Sequence, residues 1–291
     1  VIVSILPQKY FVEKIGGQRV EVSVMVKPGA SPANYEPRPS QMVALSRAKV
    51  YFTVGVPFEE VWLARIAAAN PSMIVVHTEE GIQKRIMSSH VHPDEESEPI
   101  MGMNPGASPG PCLPLQAAGN STIRPLQAGI RDPHIWLSPP LVMLQARTIL
   151  QALLRVDAAN AQGYEEGYRR FIMELVELDA ELRAIFKGLP EHTSFMVFHP
   201  SWGYFAQAYG LEQVAVETEG KEPKPAELMH LIEDARTHGI RVIFVQPQFS
   251  TRSAAMVAGE IGAVTAVADP LAQDWARSLR GMAEAIRAGM P

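Results

Sequence analysis

The chain has 291 residues, a formal net charge of -5, 47% hydrophobic and 20% charged residues. That is enough chain for two cores of moderate size, and the acidic balance offers no basic footprint for nucleic acid. No apolar run approaches bilayer length, and the single Cys112 excludes an internal disulfide.

The chain opens on a strand-like run, Val1 to Leu6, with neither an initiator Met nor a leader ahead of it, which fits a mature or trimmed chain and equally an engineered start. Gln8–Ile15 reads as a short helix closed by Gly16-Gly17, and Val20–Val26 alternates apolar and polar residues as a second strand. Pro28-Gly29-Ala30-Ser31-Pro32 is a stiff turn that excludes helix and central strand. Helix is expected over Pro39–Ala48 and Glu59–Ala69, strand over Val50–Val54 and Met73–His77. Strands alternating with helices indicate a mostly parallel sheet.

From Ser88 to Arg131 the periodicity stops. Proline and glycine are frequent there, and acids cluster at Asp94, Glu95, Glu96 and Glu98. A loop of that length is expected to be solvated and mobile. Ser138–Arg155 returns to helix.

Asp157 to Pro190 organises the rest. Tyr164, Tyr168, Phe171, Leu175, Leu178, Leu182 and Ile185 recur at steps of four and three, one apolar stripe on one helix. Asp157 is the expected N-cap, Gly188 the C′ residue, and Pro190 ends the run. Some 30 helical residues would span roughly 45 Å, enough to join two lobes. After it the alternation resumes: strands at Phe195–Phe198, Val214–Val216, Val242–Val245 and Ala263–Val267, helices at Trp202–Tyr209, Pro225–His238, Thr251–Ile261 and Leu271–Ala288. The expectation is an α/β protein of two lobes, each a mostly parallel sheet flanked by helices, joined by one long rigid helix. The first lobe is placed at 1–156, with the loop at about 88–131, the linking helix at 157–189 and the second lobe at 190–291.

Ligands of open parallel sheets bind beyond the carboxyl ends of the strands. His199, Gln246 and Asp269 follow second-lobe strands, and His134 precedes the helix that leads to the strut. Two imidazoles and a carboxylate suit a borderline divalent cation such as zinc. Each also has an ordinary alternative: His134 as a helix cap, His199 as a hydrogen-bonded core residue, and Asp269 as the N-cap of the last helix.

The words around these residues carry more. PGASPANYEPRPSQ at 28–41, DPHIWLSP at 132–139, FHPSWGYFAQAYGL at 198–211, EGKEPKPAEL at 219–228, VIFVQPQFS at 242–250 and ADPLA at 268–272 follow in order. Together they resemble the zinc- and manganese-binding solute-receptor family of ABC importers, cluster A-I. The resemblance implies a metal in the interlobe cleft, held by His134, His199 and Asp269. The cargo would be zinc, with manganese the alternative. The protein would be a monomer without enzymatic activity that delivers the ion to a membrane permease, periplasmic or extracytoplasmic, with a lipid anchor in the precursor. An adhesin-like surface role is neither supported nor excluded.

Two departures stand out. Where the family places a His in P-H-x-Y-E-P, this chain has Pro32-Ala33-Asn34-Tyr35-Glu36-Pro37, and Ala33 has no donor atom. Gln246 stands where zinc-type members commonly have Glu, and a neutral amide oxygen is a poor zinc ligand. The alternative function is a receptor of the same fold for manganese or for a chelated or organic ligand. His90 or His92, in the loop with Met101, Met103 and Cys112, is a further candidate for the missing ligand. A zinc hydrolase is disfavoured, since there is no HExxH helix and no general base beside the histidines.

Overall fold

A computed structural model describes residues 1–87, 130–217 and 223–290. The first half builds a four-stranded sheet from β1 (Ile2–Val3), β2 (Ser23–Val24), β3 (Val50–Thr53) and β4 (Ile74–His77), in the order β2-β1-β3-β4. Its helices are α1 (Leu6–Gly16), α2 (Pro39–Leu45) and α3 (Pro57–Ala69). The second half repeats the plan with β5 (Thr193–Val197), β6 (Leu211–Ala215), β7 (Val242–Val245) and β8 (Val264–Val267), in the order β6-β5-β7-β8. All six strand pairings are parallel. Between the sheets run α4 (Pro139–Val156) and α5 (Ala161–Phe186); α6 (Gly203–Ala208), α7 (Pro225–Thr237), α8 (Arg252–Ile261) and α9 (Trp275–Gly289) complete the second half. This is a two-lobed α/β fold.

Proline marks where helices start. α1, α2, α3, α4 and α7 each have Pro at the first or second helical position. There its fixed φ suits the helix, and its missing N–H would have been unpaired in any case.

α5 has 26 residues, so it runs roughly 39 Å. It starts later than the sequence suggests, because Asp157 closes α4 and a 3-10 turn at Ala158–Asn160 intervenes. The Asp157 carboxylate accepts from Tyr164 Oη at 2.5 Å and Asn160 Nδ2 at 2.8 Å, pinning the entry to α5 rather than capping it. Tyr164, Phe171, Leu175, Leu178 and Leu182 are buried on its inner face, as the stripe requires. Gly167 lets α5 approach α1, since a Cβ there would meet the carbonyl of Ile15.

The two lobes share one core. α9, the last helix in the chain, sets Trp275 against Phe11 of α1 with ring centroids 5.0 Å apart, and Phe11 stacks on Phe171 of α5 at 5.8 Å. The same buried cluster takes in Phe195, Val197 and Phe244 of the second sheet. Several edges differ from expectation. β1 and β2 are two residues each, because helix α1 already begins at Leu6 and only Ser23–Val24 pairs with β1. The last helix begins at Trp275 with Asp274 as its N-cap, accepting from Arg277 N at 3.4 Å. Asp269 is therefore not the cap of that helix. The long loop lies mostly outside the described residues; its base is closed by an antiparallel bridge between Ile86 and Arg131. His90, His92, the acids at 94–98, Met101, Met103 and Cys112 all lie outside them.

Candidate metal centre

His134 reaches the cleft from a short bent segment rather than from a strand. It flanks a 3-10 turn at Ile135–Leu137, which Pro139 then converts into α4. Asp132, almost fully buried, accepts from the His134 backbone N–H at 3.0 Å and faces its Nδ1 at 2.8 Å, both through Oδ1. The segment is tied to the second lobe by Tyr204 Oη, which donates to Asp132 O at 3.0 Å. Trp136 Nε1 donates to Pro270 O at 2.8 Å, and Trp275 Nε1 returns a bond to Trp136 O at 2.7 Å.

His199 follows β5, beyond the strand's carboxyl end as the parallel sheet predicts. Its Nδ1 lies 2.5 Å from Oε1 of Glu217, which is buried just after β6. Its ring stacks on Phe249 with centroids 4.5 Å apart. Gln246 is buried and spans the His199 backbone, accepting from its N–H at 3.0 Å and donating to its C=O at 2.9 Å. Both ends of that amide are used to hold His199, so Gln246 shapes the site without offering it a donor.

The two rings meet across the cleft, 5.2 Å between centroids and 71° between planes. An ionised carboxylate only accepts, so in both pairs the imidazole carries its proton on Nδ1. Nε2 of each ring is thereby the lone-pair nitrogen. Carboxylate-held imidazoles of this kind are the usual outer shell of metal sites. Two imidazoles binding one zinc at about 2.0–2.1 Å and a tetrahedral angle would set their centroids roughly 5 Å apart. The observed spacing fits.

Burial lowers the pKa of His199 below the ordinary imidazole value, partly countered by its bond to Glu217, with the nearby His134 lowering it further. A low pKa keeps the ring neutral, the form a cation needs. Glu217 Oε2 is buried without a hydrogen-bond partner among the described residues, leaving negative potential beside the pair.

Asp269 Oδ1 accepts from Gln248 Nε2 at 2.8 Å and Leu271 N at 2.9 Å, and Asp269 itself, unlike Gln248, Pro270 and Leu271 beside it, is not among the residues that line the cleft. Among the described residues, no three His, Cys, Asp or Glu side chains already stand grouped as a metal cage. Ala33 lies on the cleft wall, with Pro32 O held by Phe58 N at 3.2 Å, whereas Asn34 does not line the cleft. Sequence reasoning named the two histidines but not their partners. Asp132 was legible as the residue two before His134, since that spacing lets a carboxylate fold back on the ring. Glu217 follows a separate strand, and only the β5–β6 pairing brings it to His199.

Two parallel-sheet lobes spanned by one helix, with a pair of carboxylate-held imidazoles between them, define a two-lobed metal receptor. The profile of the family described as "Zinc-uptake complex component A periplasmic" matches residues 1–289. The chain belongs to this family, ZnuA, whose members are metal-binding solute-binding proteins and not enzymes. A high-affinity zinc uptake system protein ZnuA from Bacillus subtilis is 26% identical, with 93% of this chain and 78% of that protein aligned. The protein of the same name from Yersinia pestis is 27% identical over 93% of this chain and 82% of its own length. A crystal structure of ZnuA superposes with a TM-score of 0.82 at 38% identity, covering 99% of this chain and 97% of that one. A zinc-bound ZnuA deletion mutant, also 38% identical, gives a TM-score of 0.82 over 100% and 98%.

Proposed function

We propose that the protein is the extracytoplasmic receptor of an ABC importer, that it captures zinc in the interlobe cleft, and that it passes the ion to a membrane permease. His134 and His199 bind through Nε2, and Asp269 contributes a carboxylate oxygen. The observation that carries this reading is the pair of imidazoles set 5.2 Å apart from opposite lobes, each with Nδ1 on a buried carboxylate. Membership of the zinc-uptake family supports it. Among the described residues no helix is long and apolar enough to cross a membrane. The receptor acts as a monomer, and a lipid anchor on the precursor would keep it at that membrane.

Calorimetry with zinc and with manganese tests the assignment. His134→Ala and His199→Ala should each lose at least about a hundredfold in zinc affinity, beyond what loss of an outer-shell partner produces. Parent-like zinc binding by both variants would refute it. Tighter binding of manganese than of zinc would overturn the choice of cargo.

A further inference from the structure

The cleft is larger than a bare cation needs, and it carries positive charge. It encloses about 520 Å³, within the range of roughly 300–1,000 Å³ typical of small-organic-ligand sites. Val56, Pro57, Trp136 and Phe249 give it apolar walls. Lys84 and Arg131 line it as well, and Glu60 is the one carboxylate among the lining residues. Neither cation has an ion-pair partner among the described residues. Lys84 Nζ donates to Gly55 O at a long 3.4 Å, and Arg131 Nη1 donates to the Lys84 carbonyl at 3.0 Å. Two positive side chains without an ion-pair partner among the described residues favour an anion beside them.

Two further observations point the same way. Ala33 occupies the wall without a donor atom, so the protein leaves coordination positions open. Gln248, also on the wall, has its Oε1 buried and unpartnered among the described residues. A buried amide oxygen calls for an N–H or O–H donor, and beside imidazole it is a poor zinc ligand.

Resting on the metal-receptor reading above, we propose that the cleft takes its cation as a complex with a small carboxylate-bearing chelator. His134, His199 and Asp269 hold the metal as in that reading, and the chelator fills the coordination that Ala33 leaves open. Its free carboxylate lies against Lys84 and Arg131, and its hydroxyl or amine donates to Gln248 Oε1.

Native mass spectrometry and calorimetry with zinc chloride, zinc–citrate and zinc–ethylenediamine test this, the last being a chelate without a carboxylate. The expected result is one zinc and one citrate retained together, with zinc–citrate bound at least tenfold more tightly than zinc alone and zinc–ethylenediamine gaining nothing. Lys84→Gln and Arg131→Gln should each shrink the ratio of the zinc–citrate to the zinc affinity severalfold, and Gln248→Leu should shrink it too. If zinc binds alone and citrate merely competes for it, this inference falls and the metal-receptor reading stands. If neither zinc nor its citrate complex binds, both fall together.

Discussion

The two lobes follow one plan and finish their strand ends in opposite ways. In the first, the polar groups at the carboxyl ends are turned on one another. Gln8 Oε1 accepts from Ser4 N at 3.0 Å and Gln8 Nε2 donates to Thr53 O at 3.0 Å, while the buried Glu59 accepts from Val54 N at 3.1 Å and Gly55 N at 2.7 Å. In the second, the equivalent region presents His199, with Gln246 holding its backbone and Glu217 its ring. Both lobes thus bury a carboxylate at the strand ends. One serves the main chain and the other serves an imidazole. The first lobe's one imidazole in the cleft, His134, and the wall residue Ala33 come from segments outside its sheet. A repeated plan therefore fixes where the cleft lies without fixing what fills it.

The comparison holds only while the lobes stay joined, and Trp275 is where that is most exposed to mutation. It is buried, its ring meets Phe11 of the first lobe, and its Nε1 bonds to Trp136 beside His134. Trp275→Ala should cost about 3–5 kcal/mol of stability, through lost burial, a cavity and an unpaired carbonyl. Urea unfolding would measure it. A cost under about 1 kcal/mol would show that α9 contributes little to the shared core.

The two buried carboxylates give the next test. Glu217→Ala should weaken zinc binding by about 10–100-fold, which is roughly 1.4–2.7 kcal/mol, because His199 loses the partner that fixes its tautomer. Glu59→Gln should leave zinc affinity within about twofold, since its partners are the Val54 and Gly55 amides and the Ser4 side chain and none is an imidazole of the cleft. Calorimetry on both variants decides. Equal losses would erase the distinction between the lobes.

How much of this was legible follows from which interactions are local. The stripe on α5, the prolines that open helices and the strand–helix alternation all act within a few residues, so the two-lobed plan could be read. Element ends were read less well. Asp157 has the side chain of an N-cap, yet Tyr164 and Asn160 take its oxygens and α5 begins four residues later. Asp269 was likewise an attractive cap for the last helix until Asp274 proved to be nearer its start. At the site, His134 and His199 stood out by position and motif. Glu217, Gln248 and Lys84 did not: Glu217 meets the His199 ring only because β6 pairs with β5, and Gln248 and Lys84 join the cleft wall from segments after β7 and β4.

Ala33 offers a way to sharpen the comparison by giving the first lobe a ligand of its own. The backbone around it is already fixed: Phe58 N holds Pro32 O, and Tyr35 donates to Gln41 Oε1 at 2.7 Å. Little ordering entropy should then oppose a new bond. Ala33→His should tighten zinc binding about tenfold, or 1.4 kcal/mol, by filling an open position beside His134 and His199. If affinity is unchanged at neutral pH in calorimetry, the wall position of Ala33 is too far from the metal to matter.

The smallest effect distinguishes the lobes by sign. Burial raises the Glu59 pKa to about 7, the Ser4 side chain and the Val54 and Gly55 amides acting against it. A carboxyl whose folded pKa lies above its unfolded value favours the folded state when protonated. Its contribution is therefore complete below the unfolded value near 4.5 and is lost as pH rises towards 7, at no more than about 1.4 kcal/mol per pH unit. His199 runs the other way. Burial lowers its pKa, so its contribution is present above the unfolded value of about 6.5 and is lost as pH falls below that towards the folded one. Denaturant midpoints of the metal-free protein from pH 4.5 to 8 should separate the two. Glu59→Gln should flatten the decline above pH 5, whereas His199→Gln should flatten the smaller decline below 6.5. The same sign of change in both variants would mean that the buried groups of the two lobes do not titrate as their surroundings dictate.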